Sequence, residues 1–174
     1  MFRFENLDQT SRKYMLESIE EAESSEDIYY STRFNEAGRK NWVPLLKVAT
    51  LEHDEHWLAY QLEIGDMMKG LESARKPSGG YTTKHVPDTA AGTMAEGQFN
   101  RFYILGLCRR ARSEGTQNLI VYRARESADP RKESEDLVGK SLSIDEVEAQ
   151  LKDIGASFKS PLVKPNSGIS VRLP

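Results

Sequence analysis

One segment of the chain, residues 95–112, is apolar around most of a helix. At about 100° per residue, its apolar side chains cover most of the circumference instead of a single face. These side chains are Phe99, Phe102, Tyr103, Ile104, Leu107, Cys108 and Ala111. A helix of this kind is stable when other elements pack on nearly every side. The pattern therefore predicts a central buried helix with the rest of the fold arranged around it.

The remaining side of this helix carries polar residues that we call the arginine stripe. The stripe spans about 80° of the circumference and is interrupted only by Leu105, whereas Arg110 points to the opposite side. Its members are Gln98, Arg101, Arg109 and Arg112. A predicted strand, residues 119–125, follows the helix and adds Arg123 and Arg125. These five arginines are candidate interaction residues.

The five arginines have two interpretations. As free cations they would contact phosphates and form a nucleic-acid surface. As partners of acidic segments they would form ion pairs inside the fold. Residues 1–30 hold eight acidic and three basic side chains. Residues 99–132 hold three acidic and eight basic side chains, and residues 133–153 hold seven acidic and two basic ones. Blocks of alternating sign either neutralise one another within the fold or attract neighbouring subunits.

The chain is long enough for one domain core and too short for two full domains. It has 174 residues, of which 38% are hydrophobic, and a net charge of −3. Its longest apolar stretch, residues 102–108, is too short to cross a bilayer. The first residues lack the basic and apolar regions of a signal peptide. We therefore expect a protein that stays in the cytoplasm where it is made and has no membrane partner.

The first 68 residues predict a small helical array. The expected helices run from about Asp8 or Thr10 to Glu23, over residues 31–38 with Gly38 at the end, from about Trp42 to Ala49 with Pro44 in the first turn, and from about Asp54 to Met68. Near the other end of the chain, Ser143 is followed three residues later by Glu146. This spacing predicts a capping box at the start of a further helix.

Two segments are predicted to extend from the compact body. Residues 69–93 carry turn residues and little apolar periodicity, which predicts a long loop. Within it, Arg75 to Lys84 is either an arm that orders against a partner or a mobile linker. Residues 155–174 predict an extended C-terminal arm that ends in a strand, because Ile169, Val171 and Leu173 alternate. That strand would pair with the chain's own sheet or with a neighbouring subunit. These three residues join the candidate interaction residues.

Signatures of catalysis and cofactor binding are missing from the sequence. It contains no GxSxG, GxxxxGK[ST] or GxGxxG motif. His53 and His56 are metal-ligand types, but their spacing is three residues and no third ligand is marked, so a metal-dependent enzyme ranks third among the interpretations. Cys108 falls on an apolar side of the helix, which indicates buried packing and not a nucleophile. We therefore expect no cofactor, no metal and no catalytic residue.

Three segments of the chain together resemble a group of phage and prophage proteins. They are residues 95–103, 121–124 and 165–173, with the sequences AEGQFNRFY, VYRA and PNSGISVRL. The likeness spans most of the chain. The resemblance implies a phage-encoded protein that is built into a virion as a head, neck or minor capsid component. It transfers no functional residue to this sequence.

These patterns predict an α+β protein that is mostly helical, with a central buried helix and a small β element. Residues 1–154 form its single domain, with the long loop at 69–93, and residues 155–174 form the C-terminal arm. The predicted function is that of a non-enzymatic structural or interaction protein. Its arms would contact neighbouring subunits, either copies of itself or other virion proteins. The alternative is a nucleic-acid-binding accessory protein that uses the arginine stripe.

Overall fold

The computed structural model describes residues 2–153 and 159–174, and these residues contain six helices and five strands. In chain order they are α1 (Gln9–Ser24), α2 (Glu36–Glu52), α3 (Glu55–Ile64), β1 (Leu71–Arg75), β2 (Tyr81–His85), α4 (Ala90–Ser113), β3 (Asn118–Arg123), α5 (Lys132–Glu135), β4 (Ser141–Ser143), α6 (Ile144–Leu151) and β5 (Ile169–Arg172). The strands form two small sheets. The predicted α+β class with mostly helical content is confirmed.

Helix α4 runs through the middle of the fold. It packs against α1, α3 and α6 and against strands β3 and β5. The apolar side chains that predicted a surrounded helix are fully buried, namely Phe99, Phe102, Tyr103, Ile104, Leu107, Cys108 and Ala111. Burying a large apolar side chain contributes about 1.5–3 kcal/mol. The prediction of a central buried helix is therefore confirmed, and this helix organises the core.

The larger sheet is antiparallel and has the strand order β4-β3-β5. A buried polar contact joins this sheet to α4. The Asn100 side-chain amide donates to the carbonyls of Leu162 and Ile169, each at 3.1 Å. Its Oδ1 accepts a hydrogen bond from Ser170 Oγ at 2.6 Å. Because buried polar groups need partners, these three bonds define the position of β5 against the central helix.

The predicted C-terminal strand belongs to this sheet, which is one of the two pairings that the sequence left open for the arm over residues 155–174. Residues 154–158 lie outside the described residues, and β5 pairs with β3 of the same chain. Ile169 and Val171 are fully buried, and Leu173 packs against the core. The side chains of Ile169 and Val171 are therefore not available to a neighbouring subunit. The alternation that predicted the strand directs its apolar side into the chain's own core.

Residues 71–85 form a β-hairpin, which corrects the predicted loop over residues 69–93. Strands β1 and β2 pair antiparallel along their whole length. The turn between them contains Gly79 and Gly80 at φ of 89° and 78°, the left-handed region that favours glycine. Every residue of β2 is exposed, so neither face of the strand needs to be apolar. The alternation that marks a half-buried strand is therefore missing from the sequence.

Helix α2 replaces two of the predicted helices. It runs without a break across Gly38 and holds Pro44 in its interior, so the predicted helix end at Gly38 is wrong. Asn35 caps the helix, because its side chain accepts a hydrogen bond from the Gly38 N–H at 2.9 Å. A Cβ at position 38 would collide with the carbonyl of Met67. Glycine is required there by a close approach of backbone and not by the end of a helix.

Two of the predicted helix starts agree with the structure. Asp8 caps α1, and Ser143 and Glu146 form both hydrogen bonds of the predicted capping box at the start of α6. Helix α3 ends at Ile64 and does not continue to Met68 as predicted. The chain turns there to enter the hairpin. Caps depend on short sequence spacings, which explains why these starts could be predicted.

Cys108 is expected to be unreactive in the folded protein. Its side chain is fully buried, and burial raises the pKa of the thiol. Because the thiolate is the reactive form, Ellman's reagent at mildly alkaline pH should modify the native protein on the order of 100-fold more slowly than the urea-unfolded protein. The absorbance of the released thiol anion measures both rates. Equal rates in the two states would contradict the burial of Cys108.

Candidate functional site

Arg101 of the arginine stripe is used inside the fold. Its side chain is 1% exposed. Nε donates to the Leu151 carbonyl at 3.0 Å and Nη2 to the Lys152 carbonyl at 3.1 Å, at the C-terminal end of α6. The guanidinium also donates to Asp27, with Nη2 at 2.5 Å from Oδ2 and Nη1 at 3.2 Å from the carbonyl. Arg101 therefore caps α6, where a cation is favoured by the helix dipole, and ties it to the loop after α1.

The other two arginines of the stripe pair with carboxylates on neighbouring helices. Arg109 forms an ion pair with Glu21 of α1. Arg112 donates to Glu148 at 2.5 Å and to Asp145 at 2.6 Å, both on α6. These two hydrogen bonds raise the pKa of Arg112. The basic middle of the chain is thus neutralised by the acidic blocks on either side of it, which supports the ion-pair interpretation.

The pairs line a groove of about 440 Å³ between α1, α4 and α6. Its walls mix guanidinium groups with carboxylates from both helices that flank α4. A phosphate would have to displace carboxylates that already occupy the guanidinium groups, and it would be repelled by their charge. The geometry of the groove therefore does not favour nucleic-acid binding.

Arg123 at the end of β3 and Arg125 two residues later also have partners within the chain. Arg123 Nη1 donates to the Ser167 carbonyl at 2.9 Å. Arg125 Nη2 lies 3.1 Å from Glu96 Oε1 and donates to Asn166 Oδ1 at 3.3 Å. Arg123 thus contacts the segment that enters β5. Arg125 connects the same segment to the start of α4. All five candidate arginines connect elements of this one chain.

His53 and His56 point to different surroundings. The His53 ring stacks on Trp57, with 4.3 Å between ring centroids and an interplanar angle of 11°. His56 instead lines a cleft beside α3. Within residues 2–153 and 159–174, no group of three or more His, Cys, Asp or Glu side chains could hold a metal ion. The geometry therefore does not support a metal centre at these two histidines.

The cleft beside His56 has a volume of about 400 Å³ and lies between α3 and the start of α4. We call it the carboxylate cleft, and its ionisable side chains are Glu55, His56, Glu63, Asp88, Glu96 and Arg125. The structure pairs Glu96 with Arg125 and brings it into one cleft with Glu55. No spacing signal in the sequence links these residues.

Two of the carboxyl groups in the cleft are withdrawn from water. Glu55 is 5% exposed, and its Oε1 accepts a hydrogen bond from the Phe2 N–H at 2.8 Å. Its Oε2 is buried and has no hydrogen-bond partner among the described residues. Burial raises the pKa of Glu55, and it also raises the pKa of Glu96 although Arg125 is close. Carboxyl groups with raised pKa values in a cleft mark a candidate binding site.

The hairpin is the second candidate site, because it presents apolar side chains to solvent. Tyr81 is 76% exposed and Leu71 is 52% exposed. The base of the hairpin is anchored by Arg33, which donates to both oxygens of Glu72 at 2.6 Å and 3.0 Å. Lys84 on the second strand adds a contact of 3.2 Å to the same carboxylate. Two parallel hydrogen bonds between Arg33 and Glu72 fix the relative direction of the two groups. The hairpin therefore has a defined orientation on the rest of the fold.

Both outer edges of the hairpin are unpaired in the described part of the chain, because its sheet contains β1 and β2 alone. Hydrogen-bonded and non-bonded residue pairs alternate along an antiparallel ladder. The Val86 N–H bonds to the Gly70 carbonyl at 3.0 Å, which sets the phase of the alternation. The residues of β2 that direct their main-chain groups outward are therefore Tyr81, Thr83 and His85. They offer N–H and C=O groups to another strand.

Comparisons with protein families, with curated proteins and with solved structures find no significant match for this chain. The resemblance to phage and prophage proteins therefore stays a prediction. Among the helices that the structure describes, none combines the length and the apolar character needed to span a membrane.

Proposed function

We propose that the protein is a non-enzymatic structural protein that contacts neighbouring subunits through the hairpin, residues 71–85. The observation that carries the proposal is an anchored two-stranded sheet whose outer edges pair with no other strand in residues 2–153 and 159–174. Two-stranded sheets are marginally stable in water, and an added strand stabilises them. Strand addition supplies main-chain hydrogen bonds for affinity and side-chain contacts for specificity.

The resemblance to phage and prophage proteins supplies the context of the proposal. In a virion head, neck or minor capsid, subunits are held in a symmetric array. Weak edge contacts gain affinity in such an array, because each additional contact forms between groups that are already close. One predicted arm remains available for this role, since the C-terminal strand is part of the chain's own sheet.

The outer edge of β2 is suited to pairing with a second copy of the same strand. An antiparallel pair centred on Thr83 would place Tyr81 opposite His85 at each end. Lys84 then lies opposite Thr82, so the two Lys84 side chains do not face each other. The outward main-chain groups of the two strands meet in this register and form a continuous ladder. We therefore take a second copy of the chain as the partner.

We expect the wild-type protein to dimerise as its concentration rises and the Thr83→Pro variant to stay monomeric. Proline at position 83 removes one outward N–H and leaves the hydrogen bonds within the hairpin in place. The matched control is Ser73→Pro, at the cross-strand partner position, which removes an outward N–H from the other edge. Light scattering after size-exclusion chromatography measures the mass, and circular dichroism checks the fold.

The Ser73→Pro control shows whether dimerisation uses the outer edge of β2, the outer edge of β1 or a surface outside the hairpin. A Ser73→Pro variant that dimerises like the wild type, beside a monomeric Thr83→Pro variant, supports pairing through β2. A wild-type protein that stays monomeric at every concentration contradicts self-pairing. Equal dimerisation of both variants and the wild type assigns the contact to a surface other than the hairpin edge.

A further inference from the structure

We propose that the carboxylate cleft binds a primary ammonium or guanidinium group. The cleft combines a buried Glu55 oxygen that has no hydrogen-bond partner in the described part of the chain with ionisable walls on which carboxyl groups predominate. Neither observation involves the outer edge of β2, so the inference stands independently of the proposed pairing between hairpins.

The unsatisfied oxygen is Glu55 Oε2. The residue is 5% exposed, and the Phe2 N–H satisfies only the other carboxylate oxygen. A buried acceptor without a donor costs about 1–3 kcal/mol. The group that would satisfy it is a hydrogen-bond donor, and cationic donors form the stronger bonds to carboxylates. The ligand should therefore offer N–H groups that carry positive charge.

The charge of the walls favours the same ligand class. Their ionisable side chains are Glu55, His56 and Glu63 of α3, Asp88 and Glu96 around the start of α4, and Arg125 after β3. Arg125 Nη2 lies 3.1 Å from Glu96 Oε1, and its buried Nε has no hydrogen-bond partner among the described residues. The carboxyl groups therefore outnumber the basic groups that face the cleft. A cleft lined mainly by one sign of charge concentrates ligands of the other sign.

The size of the cleft admits a side chain or a small amine. Its volume of about 400 Å³ falls within the usual range of ligand pockets. Gly92 and Ala59 contribute little bulk to the walls, and a Cβ on Gly92 would meet no atom within 4 Å. A metal ion fits less well, since the described residues contain no set of three or more suitable ligands.

Binding should weaken as the pH falls. Burial raises the pKa of Glu55 and of Glu96, and a cationic ligand prefers their ionised forms. As the pH falls through these raised values, both carboxylates take up a proton and the attraction is lost. The charged side chains that act on these two carboxyl groups are Asp54, His56 and Arg125. Affinity is therefore highest above the raised carboxyl pKa values.

Two probes test the proposal on the full-length, ¹⁵N-labelled protein: spermidine, and an alanyl-lysyl-alanine tripeptide with acetylated and amidated ends. The amide chemical shifts of Gly92 and Thr93 report binding at the cleft. We expect saturable shifts with at least one probe, and Glu55→Gln should weaken that binding about tenfold or more. Glu52→Gln is the matched control, because Glu52 is exposed at the end of α2 and does not line the cleft.

The outcomes separate the sources of the ligand. Tighter binding of the tripeptide indicates a basic side chain of a partner, and tighter binding of spermidine indicates a free amine. Either result supports the proposal when Glu55→Gln weakens it and Glu52→Gln does not. Absence of saturable shifts with both probes, or binding that Glu55→Gln leaves unchanged, overturns it. Glu96→Gln provides the same test if the Glu55 variant fails to fold.

Discussion

Replacing Arg101 by alanine is expected to lower the free energy of unfolding by about 3–5 kcal/mol. The side chain is 1% exposed and donates to the carbonyls of Leu151 and Lys152 and to Asp27. The truncation removes these donors from the C-terminal end of α6 and leaves a cavity beside the central helix. Since domains of this size are stable by only about 5–15 kcal/mol, a large part of the stability would be lost.

Urea unfolding followed by circular dichroism measures this change. The matched control is Arg112→Ala, because Arg112 lies on the same stripe and also pairs with carboxylates but is 47% exposed. We expect the control to change the free energy of unfolding by no more than about 1 kcal/mol. Similar losses in both variants would contradict the internal role of Arg101. Arg101→Lys should lose less than alanine, because lysine keeps the charge but not the planar fork of donors.

The contrast between these two arginines also guides functional experiments. A variant at Arg101 that loses binding to any partner would report a damaged core before it reported a lost contact. Arg112, at the exposed end of the same stripe, is the position where substitution tests the surface itself. The arginine stripe is therefore a structural connector at one end and a solvent-exposed ion pair at the other.

Gly106→Ala should destabilise the protein by about 1–3 kcal/mol, although alanine is the better helix former. A Cβ at this position would lie 2.7 Å from Met15 Cγ, 2.8 Å from Met15 N and 3.0 Å from Met15 Cα. Two of these atoms belong to the backbone of α1, so the two helices would have to separate. The gain in helix propensity is about 1 kcal/mol at most and does not offset that repacking.

The matched control for this prediction is Gly92→Ala in the same helix. A Cβ at position 92 meets nothing within 4 Å, so alanine should stabilise the protein by up to about 1 kcal/mol. Urea unfolding of both variants should give changes of opposite sign. If Gly106→Ala proves as stable as Gly92→Ala, α1 and α4 do not approach each other as closely as the structure places them.

The parts of the fold that could be predicted from sequence depend on neighbours along the chain. The apolar residues around α4 repeat within a few turns, and their burial follows from that repeat. The helix starts at Asp8 and Ser143 depend on a side chain that reaches an N–H three residues away. Both kinds of signal are complete within one segment, so no knowledge of the tertiary fold is needed to recognise them.

The features that sequence reasoning missed depend on contacts between distant segments. The hairpin lacks apolar alternation because it packs against no core, and so its residues resembled a loop. Gly38 looked like a helix end because the approach of the Met67 carbonyl is a tertiary contact. Glu55 and Glu96 meet in one cleft although nothing in their surroundings along the chain connects them. Their raised pKa values follow from burial that only packing creates.

By itself, the sequence determined that a mostly helical fold surrounds one buried helix, and it identified the apolar residues of that helix. The tertiary structure decided which partner each charged or paired group takes. Ile169 and Val171 predict a strand, but only the structure assigns that strand to the chain's own β3. Arg101 predicts either a binding surface or an ion pair, and only the structure places it at the end of α6. Periodicity is a local property of the chain, whereas pairing depends on which distant segments pack together.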